Sequence, residues 1–436
     1  MPTYSLTLRE LKGSKLTIQE MDNNWLYLQD LASQGGGTVD IDQNQIAIGD
    51  PSGLTSSSQF QFDILNNNLI LGASNSITGT SSYSTILGGM CNSIYNNELH
   101  LGPYNITSLS AIIGGYGNQI SCVSPTSIIS GGCQNTVSDL SIGSGIFTGQ
   151  ENVVYYSLTS TILGGCQNYI YNSRYASIIA GCSNQIVNES QKSSIVGGDC
   201  NKINSSLHSS ITGGRCNNIC CQANYSSIIG GYSNTIYCQN FVSTIIGGCK
   251  NTICEYSVRS SIFNGCQNTI RCFSTDSVIV GGCVNMIQMN SCYSSIINGR
   301  QNVISGTSSH SSIIGGYKND ICNSFYSSIL GGRRSRIFGT SSHSSIIGGY
   351  KNDICNSFYS SIIGGCQNCI MYSSQSAIIG GNNLLLNNKP NTVLVPTLLV
   401  SGSFSTDSGN TFGINGSFTA GANTITVCNG VIVSIV

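Results

Sequence analysis

The chain reads as an all-β solenoid, a β-roll or β-helix of about twenty rungs, on the strength of a motif, its spacing and the composition. The motif Ser-Ser-Ile-Ile-Gly-Gly-x-x-Asn-x-Ile, cleanest at Ser226 to Ile236, returns about twenty times between Leu69 and Leu386, nearly always after 16 or 17 residues. That period is too short for a helix-turn-helix unit or a propeller blade and fits one turn of stacked β-structure. Only 8% of the 436 residues are charged, and 52 are glycine. Ordinary domains are roughly a quarter charged, so solubility must come from neutral polar side chains while Gly, Ser, Asn, Ile and Tyr supply turns and strands.

Taken in order, the first region is residues 1–38. Thr17-Ile-Gln-Glu20 is a capping box that opens a helix over Ile18 to Ala32, with Ile18, Met21, Trp25 and Leu28 at a/d spacing. Fewer than three heptads do not make a stable isolated coiled coil, so this helix needs partners. Ser33-Gln-Gly-Gly-Gly-Thr38 is a flexible joint. Residues 39–68 read as short strands leading into the repeats, which occupy 69–386. Residues 387–436 form a small C-terminal β cap or tip. Pro390 and Pro396 end the regular stacking, and Asn423 to Val436 is a hairpin with Asn429-Gly430 at its turn.

Within the repeats, each rung is anchored on a glycine: Gly72, Gly89, Gly102, Gly115, Gly132 and onward to Gly381. Two early spacings, either side of Gly102, are 13. Ile stands three before the anchor in eighteen of twenty rungs, with Leu69 and Leu99 in the others. Asn stands three after it in eighteen, the exceptions being Ser335 and Leu384. The Ile and a second apolar residue five after the anchor (Ile236, Ile253, Ile270) are the inward-facing core. Gly-Gly and Asn let the chain reverse, and stacked Asn side chains can form amide ladders. Gly306 to Ile329 recurs identically as Gly339 to Ile362, a duplication of two rungs.

The residue two before the anchor is also usually apolar, as at Ile229, Ile246, Phe263 and Val280, though it tolerates His100, Ser130 and Thr212. Neighbouring strand residues point to opposite faces, so an Ile-Ile pair implies that both faces are covered. A thin roll has one interior. The same strand of another copy is the economical cover for the second face, which predicts a homo-oligomer about an axis along the rod.

Few residues suggest chemistry. Glu98, Asp139, Glu151, Glu189, Asp199, Glu255, Asp276, Asp320 and Asp353 are scattered without an acid/base pair, and Asp320 and Asp353 match only through duplication. His100, His208, His310 and His343 read as isolated, exposed turn residues. Cys249, Cys266 and Cys283 follow the anchor in three successive rungs, as Cys166 and Cys182 do in two, at a ~4.8 Å stacking distance inside the disulfide window. A ladder of soft buried thiols, inter-rung or interchain disulfides, and a metal site all remain open for these columns. Cys366-Gln-Asn-Cys369 lacks a second pair, and Cys216, Cys220 and Cys221 lack zinc-site spacing. No catalytic, cofactor-binding or metal-binding residue is therefore singled out, and an enzyme is not expected. A net charge of −1 with no block of Lys or Arg gives no footprint for nucleic acid, and no stretch suits a signal peptide or membrane span.

The rung resembles the β-roll repeats in the heads of trimeric autotransporter adhesins, where Ser-x-Ala-x-Gly and Asn motifs recur at a similar period. The opening Arg9-Glu-Leu-Lys-Gly-Ser-Lys-Leu-Thr-Ile-Gln-Glu-Met-Asp-Asn-Asn-Trp25 is similar to the Lys-Gly-Ser-x-Leu-Thr-x-x-Glu-x-Asp-x-Asn-Phe opening of tail-fibre and other virion proteins of phages and related viruses. Asn391-Thr-Val-Leu-Val-Pro-Thr-Leu and the Thr-Ile-Thr-Val-x-Asn-Gly ending resemble C-terminal segments of such proteins. These resemblances imply a homotrimeric fibre or spike, made in a host cytoplasm and exposed on a virion. Its N-terminal region would attach to other virion or tail proteins, and the rod would contact a host-surface receptor. A microbial surface adhesin or filament subunit is the alternative, and a polysaccharide-depolymerase fibre, which would need paired carboxylates, is a lesser one. An ice-binding solenoid would need a flat Thr-x-Thr ladder that the sequence lacks.

Overall fold

The computed structural model describes residues 45–50, 53–63, 65–95, 109–396, 416–420, 423–428 and 431–435. The helix expected over 18–32, the joint that follows it and the tip of the 429–430 turn lie outside the described residues. Those residues form an all-β solenoid with no helix.

Each rung contributes one strand to each of two parallel sheets. The first sheet holds strands such as Ser227–Ile229, Thr244–Ile246 and Ser261–Phe263, and the second holds Thr235–Ile236, Thr252–Ile253 and Thr269–Ile270. Register is strict: Ile228 pairs with Ile245 and Ile245 with Ile262 in the first sheet, and Ile236 pairs with Ile253 and Ile253 with Ile270 in the second. The residue after the anchor adds a one-residue ladder of eighteen parallel steps from Ala73 to Asn382. At ~4.8 Å per step these make a shaft of roughly 86 Å.

Both expected core columns are buried. From Ile86 to Ile378, the residue three before the anchor is 0% exposed, as is its partner five after it from Ile94 to Ile370. Two serine columns are also interior, although the composition points to serine as a turn and solubility residue. Ser226 donates its hydroxyl to the Asn240 carbonyl at 2.9 Å and accepts the Ser243 amide at 3.1 Å, a pattern repeated rung after rung. In the second column, three residues before the first, Ser274 accepts the Ser291 amide at 3.3 Å.

The buried asparagines do form a ladder. Asn234 donates to the carbonyls of Gly230, Gly247 and Gly248 at 3.3, 3.1 and 3.2 Å, and its own oxygen accepts the Asn251 amide at 3.0 Å. One side chain thus satisfies backbone groups in two rungs, which a buried bend requires. The anchor glycine is obligatory for a second reason. Gly165 has φ +91°, and a Cβ there would collide with the Gly181 carbonyl of the next rung.

The difference between 16- and 17-residue rungs sits at one corner. After Tyr155 a single left-handed residue, Tyr156, precedes buried Ser157; after Cys254 two such residues, Glu255 and Tyr256, precede buried Ser257. The ladders run through both lengths without a shift.

Three expectations need correction. The rungs of Gly89 and Gly115 are direct neighbours, since Ile86 pairs with Ile112, Met90 with Tyr116 and Ile94 with Ile120, and the anchor expected between them at Gly102 lies outside the described residues. Leu99, Gly102 and Asn105 match the motif locally, yet no additional rung is stacked between the two that pair. In the first rung, Ile70 rather than Leu69 stands in register with Ile86. Stacking also passes the expected limit at 386, because Val393–Leu394 pairs in parallel with Ala377 and Ile378.

The flanking strands are antiparallel. Gln45–Asp50 pairs with Gly53–Asp63, which pairs with Asn68–Leu71 and so covers the N-terminal edge of the first sheet. Near the C-terminus, Asn423–Cys428 pairs with Val431–Ile435 as the hairpin reading expects, and Gly416–Ala420 adds a third strand.

Candidate interaction surfaces

The first surface is the outward side of the first sheet. Residues two and four before the anchor point away from the core, one bulky and one small. The bulky column includes Leu87, Ile113, Phe147, Leu163, Ile229, Phe263, Ile297, Ile314, Ile347 and Ile379, each between 36% and 46% exposed. Beside it run small or neutral residues such as Ser227, Thr244, Ser261, Ser295 and Ser312, which are half-buried. No charged residue stands on this face among the described rungs. An apolar stripe of this length, interrupted only at Ser130 and Thr212 among the described rungs, exceeds the scattered exposed side chains of a monomeric protein. The single chain leaves the face open, whereas the paired Ile-Ile pattern called for cover.

The outward side of the second sheet is built differently. At the same rungs it presents Thr235, Arg271, Gln288, Asp320, Arg336 and Asp353. It varies freely and carries charge.

The cysteines after the anchor stack as expected: Cys249 bridges to Cys266 and Cys266 to Cys283, all half-buried rather than enclosed. Cys166 Sγ lies 2.7 Å from Cys182 Sγ. The cysteines from Cys91 to Cys369 are free thiols. Hydrogen bonding with Cys249, together with burial, pushes the Cys266 thiol up to about 11, so it stays protonated near neutrality. Cys366 falls on the single-residue ladder and Cys369 on the second sheet, so the two belong to different columns.

The histidines are exposed but not isolated. His310 lies between Tyr293 and Tyr326 with ring centroids 4.9 and 4.7 Å away, and His343 lies between Tyr326 and Tyr359 at 5.0 and 4.7 Å. Five rings therefore stack along one corner of five successive rungs, and His208 stacks on Tyr225 in the same way at 4.8 Å. The signal lay in the period: these residues all sit one before the invariant buried serine. His100 lies outside the described residues.

Carboxylates pair with cations one rung away. Asp276 receives Nε and Nη2 of Arg259, both at 2.8 Å, which holds its carboxyl below the usual range. Asp199 lies 3.2 Å from Arg215. The duplicated Asp320 and Asp353 are separated by Arg336, in register with both. Arg336 binds Asp353 through two hydrogen bonds, of 3.1 and 2.7 Å, leaving the buried Asp320 Oδ1 without a hydrogen-bond partner.

No helix among the described residues is long and apolar enough to cross a membrane. No known protein-family model matches the chain, and comparison with curated proteins finds no match.

Proposed function

We propose that this chain is a structural virion protein, the shaft subunit of a homotrimeric fibre or spike that projects from a phage or virus particle and contacts the host. The observation that carries the reading is the uncharged apolar face repeated along the first sheet. Nearly every rung offers a bulky apolar side chain at the same height, Ser130 and Thr212 being the exceptions, so the matching rung of another copy is its natural complement. Three copies around an axis would bury the stripe continuously and leave the second sheet and the corners outward. Solenoid rungs without internal flexibility suit a spacer, and the low net charge suits neither a nucleic-acid scaffold nor a polyelectrolyte.

Placement on a virion is supported by the resemblance of both ends to virion proteins, with the N-terminal region as the attachment to other virion or tail proteins. Light scattering on the full chain tests the assembly directly: a mass of three times 45.9 kDa is expected, and a stable monomer overturns it. Imaging particles that carry a label at the C-terminus tests polarity. A label beside the particle wall would reverse the proposed attachment.

A further inference from the structure

The rung anchored at Gly332 departs from the repeat in a way that its own stability does not explain. The rungs on either side present Tyr-Lys-Asn-Asp after the anchor pair, as Tyr317, Lys318, Asn319 and Asp320 and again as Tyr350, Lys351, Asn352 and Asp353. Between them this rung presents Arg333, Arg334, Ser335 and Arg336. Ser335 still donates its amide to Asn319 and accepts the Asn352 amide at 3.3 Å. It offers no amide group to the glycine carbonyls, so a support found in nearly every other rung is absent where three guanidiniums cluster. A local rule broken without structural gain points to function.

The cations converge. Lys318, Arg334 and Lys351 are consecutive in one exposed column, and Arg333 lies against the rings of Tyr317 and Tyr350 at 5.5 and 5.7 Å. Arg336 is bound to Asp353, which neutralises one charge of each sign. Among the described residues, Lys318, Arg333, Arg334 and Lys351 have no carboxylate in ion-pair range. Lys318, Arg334, Arg336 and Lys351 line an open concavity of about 650 Å³ together with Asp353 and Gln367. Burial raises the pKa of the nearby Asp320 carboxyl.

The column ends abruptly in Gln301 on one side and Gln367 on the other. It therefore spans only two rung intervals, ~10 Å, too short for a groove that tracks a nucleic-acid backbone. The tyrosine faces are occupied by Arg333 rather than open for base stacking. One rung interval is close to the length of one pyranose ring. A sugar chain lying along the rod would set successive acid groups against successive cations.

We propose that this patch binds an acidic glycan, a sugar chain bearing carboxylate or sulfate groups, laid along the rod axis across the rungs of Gly316, Gly332 and Gly349. The proposal deepens the host-contact reading and rests on it for its biological setting. The patch lies on the second sheet and the bend before it, away from the apolar face, so binding does not require the trimer.

Binding of the full-length chain to immobilised polyuronate, heparin, neutral dextran and an oligothymidylate tests the idea at low and high salt. The triple variant Lys318→Gln, Arg334→Gln, Lys351→Gln is the probe, because the chain itself uses Gln in that column at Gln301 and Gln367. Lys202→Gln, on the second sheet remote from the patch, is the control. Salt-sensitive binding to one or both acidic glycans is expected, weakened at least about tenfold in the triple variant and unchanged in the control, with the same melting temperature. Which acidic glycan binds identifies the acid group. Binding no stronger than to dextran, or undiminished in the triple variant, overturns the proposal. Tighter binding of the oligonucleotide at the same residues assigns the patch to nucleic acid and also overturns it. A monomer by light scattering with glycan binding intact would remove the trimer and leave the patch standing.

Discussion

The two sheets bury the same kind of residue at every rung, yet their outward faces are unlike. On the first sheet, Ile297, Ile314, Leu330 and Ile347 repeat one bulky apolar side chain. On the second, the rungs beside them present Val303, Asp320, Arg336 and Asp353. Folding cannot be the reason, because both faces point away from the core and both strands pair in perfect register. The regularity of the first face exceeds what the core needs, and the proposed assembly of copies would account for it.

The largest expected effects fall equally on both sheets and would show that the interiors are equivalent. Ile262→Ala and Ile270→Ala each remove a fully buried side chain and should lower stability by about 2–5 kcal/mol in urea unfolding. A marked inequality between them would place an energetic asymmetry inside the roll instead of outside it. Asn268→Ala comes next. It strands the Asn285 amide and the Gly281 and Gly282 carbonyls, for an expected loss of about 1–3 kcal/mol by the same measurement.

The outward faces are then separated by charge. Ile297→Lys should leave circular dichroism intact and reduce the mass seen by light scattering, whereas Thr269→Lys on the second sheet should change neither. If the two variants behave alike, the apolar face is not a seam. Alkylation makes a finer distinction. With its pKa near 11, Cys266 should react slowly at pH 8 and speed up as the pH approaches 11; rapid modification at neutral pH would contradict the stacked thiols.

Acidification should have the smallest effect. The Asp276 carboxyl is held below its unfolded value, so its contribution is present above about pH 4 and fades as pH falls through the folded pKa. Asp276→Asn should flatten that acid limb only slightly, since Arg259 and Asp276 meet at an exposed corner.

Much of the rod was legible because its constraints are periodic. Ile at three before the anchor and Asn at three after it announce a core and a bend, since each position accepts almost nothing else. Serine hid in plain view. The column of Ser226 and Ser243 is broken between Ser84 and Ser376 only by Ala176 among the described rungs, but serine is common both in solvent and in turns, so its burial leaves no compositional trace. Gly102 misled because a short motif can match locally without adding a rung to the stack. The basic patch escaped because Arg333, Arg334 and Arg336 look like a minor cluster in the chain, and only stacking brings Lys318 and Lys351 beside them.

The corner that holds either one or two left-handed residues has a consequence for inheritance. Since the ladders tolerate both rung lengths, any unequal exchange between the identical stretches Gly306 to Ile329 and Gly339 to Ile362 would add or delete two whole rungs and still encode a continuous stack. The reach of the rod is thus a quantity that a lineage can ratchet in fixed increments of roughly 10 Å, with no new fold to invent.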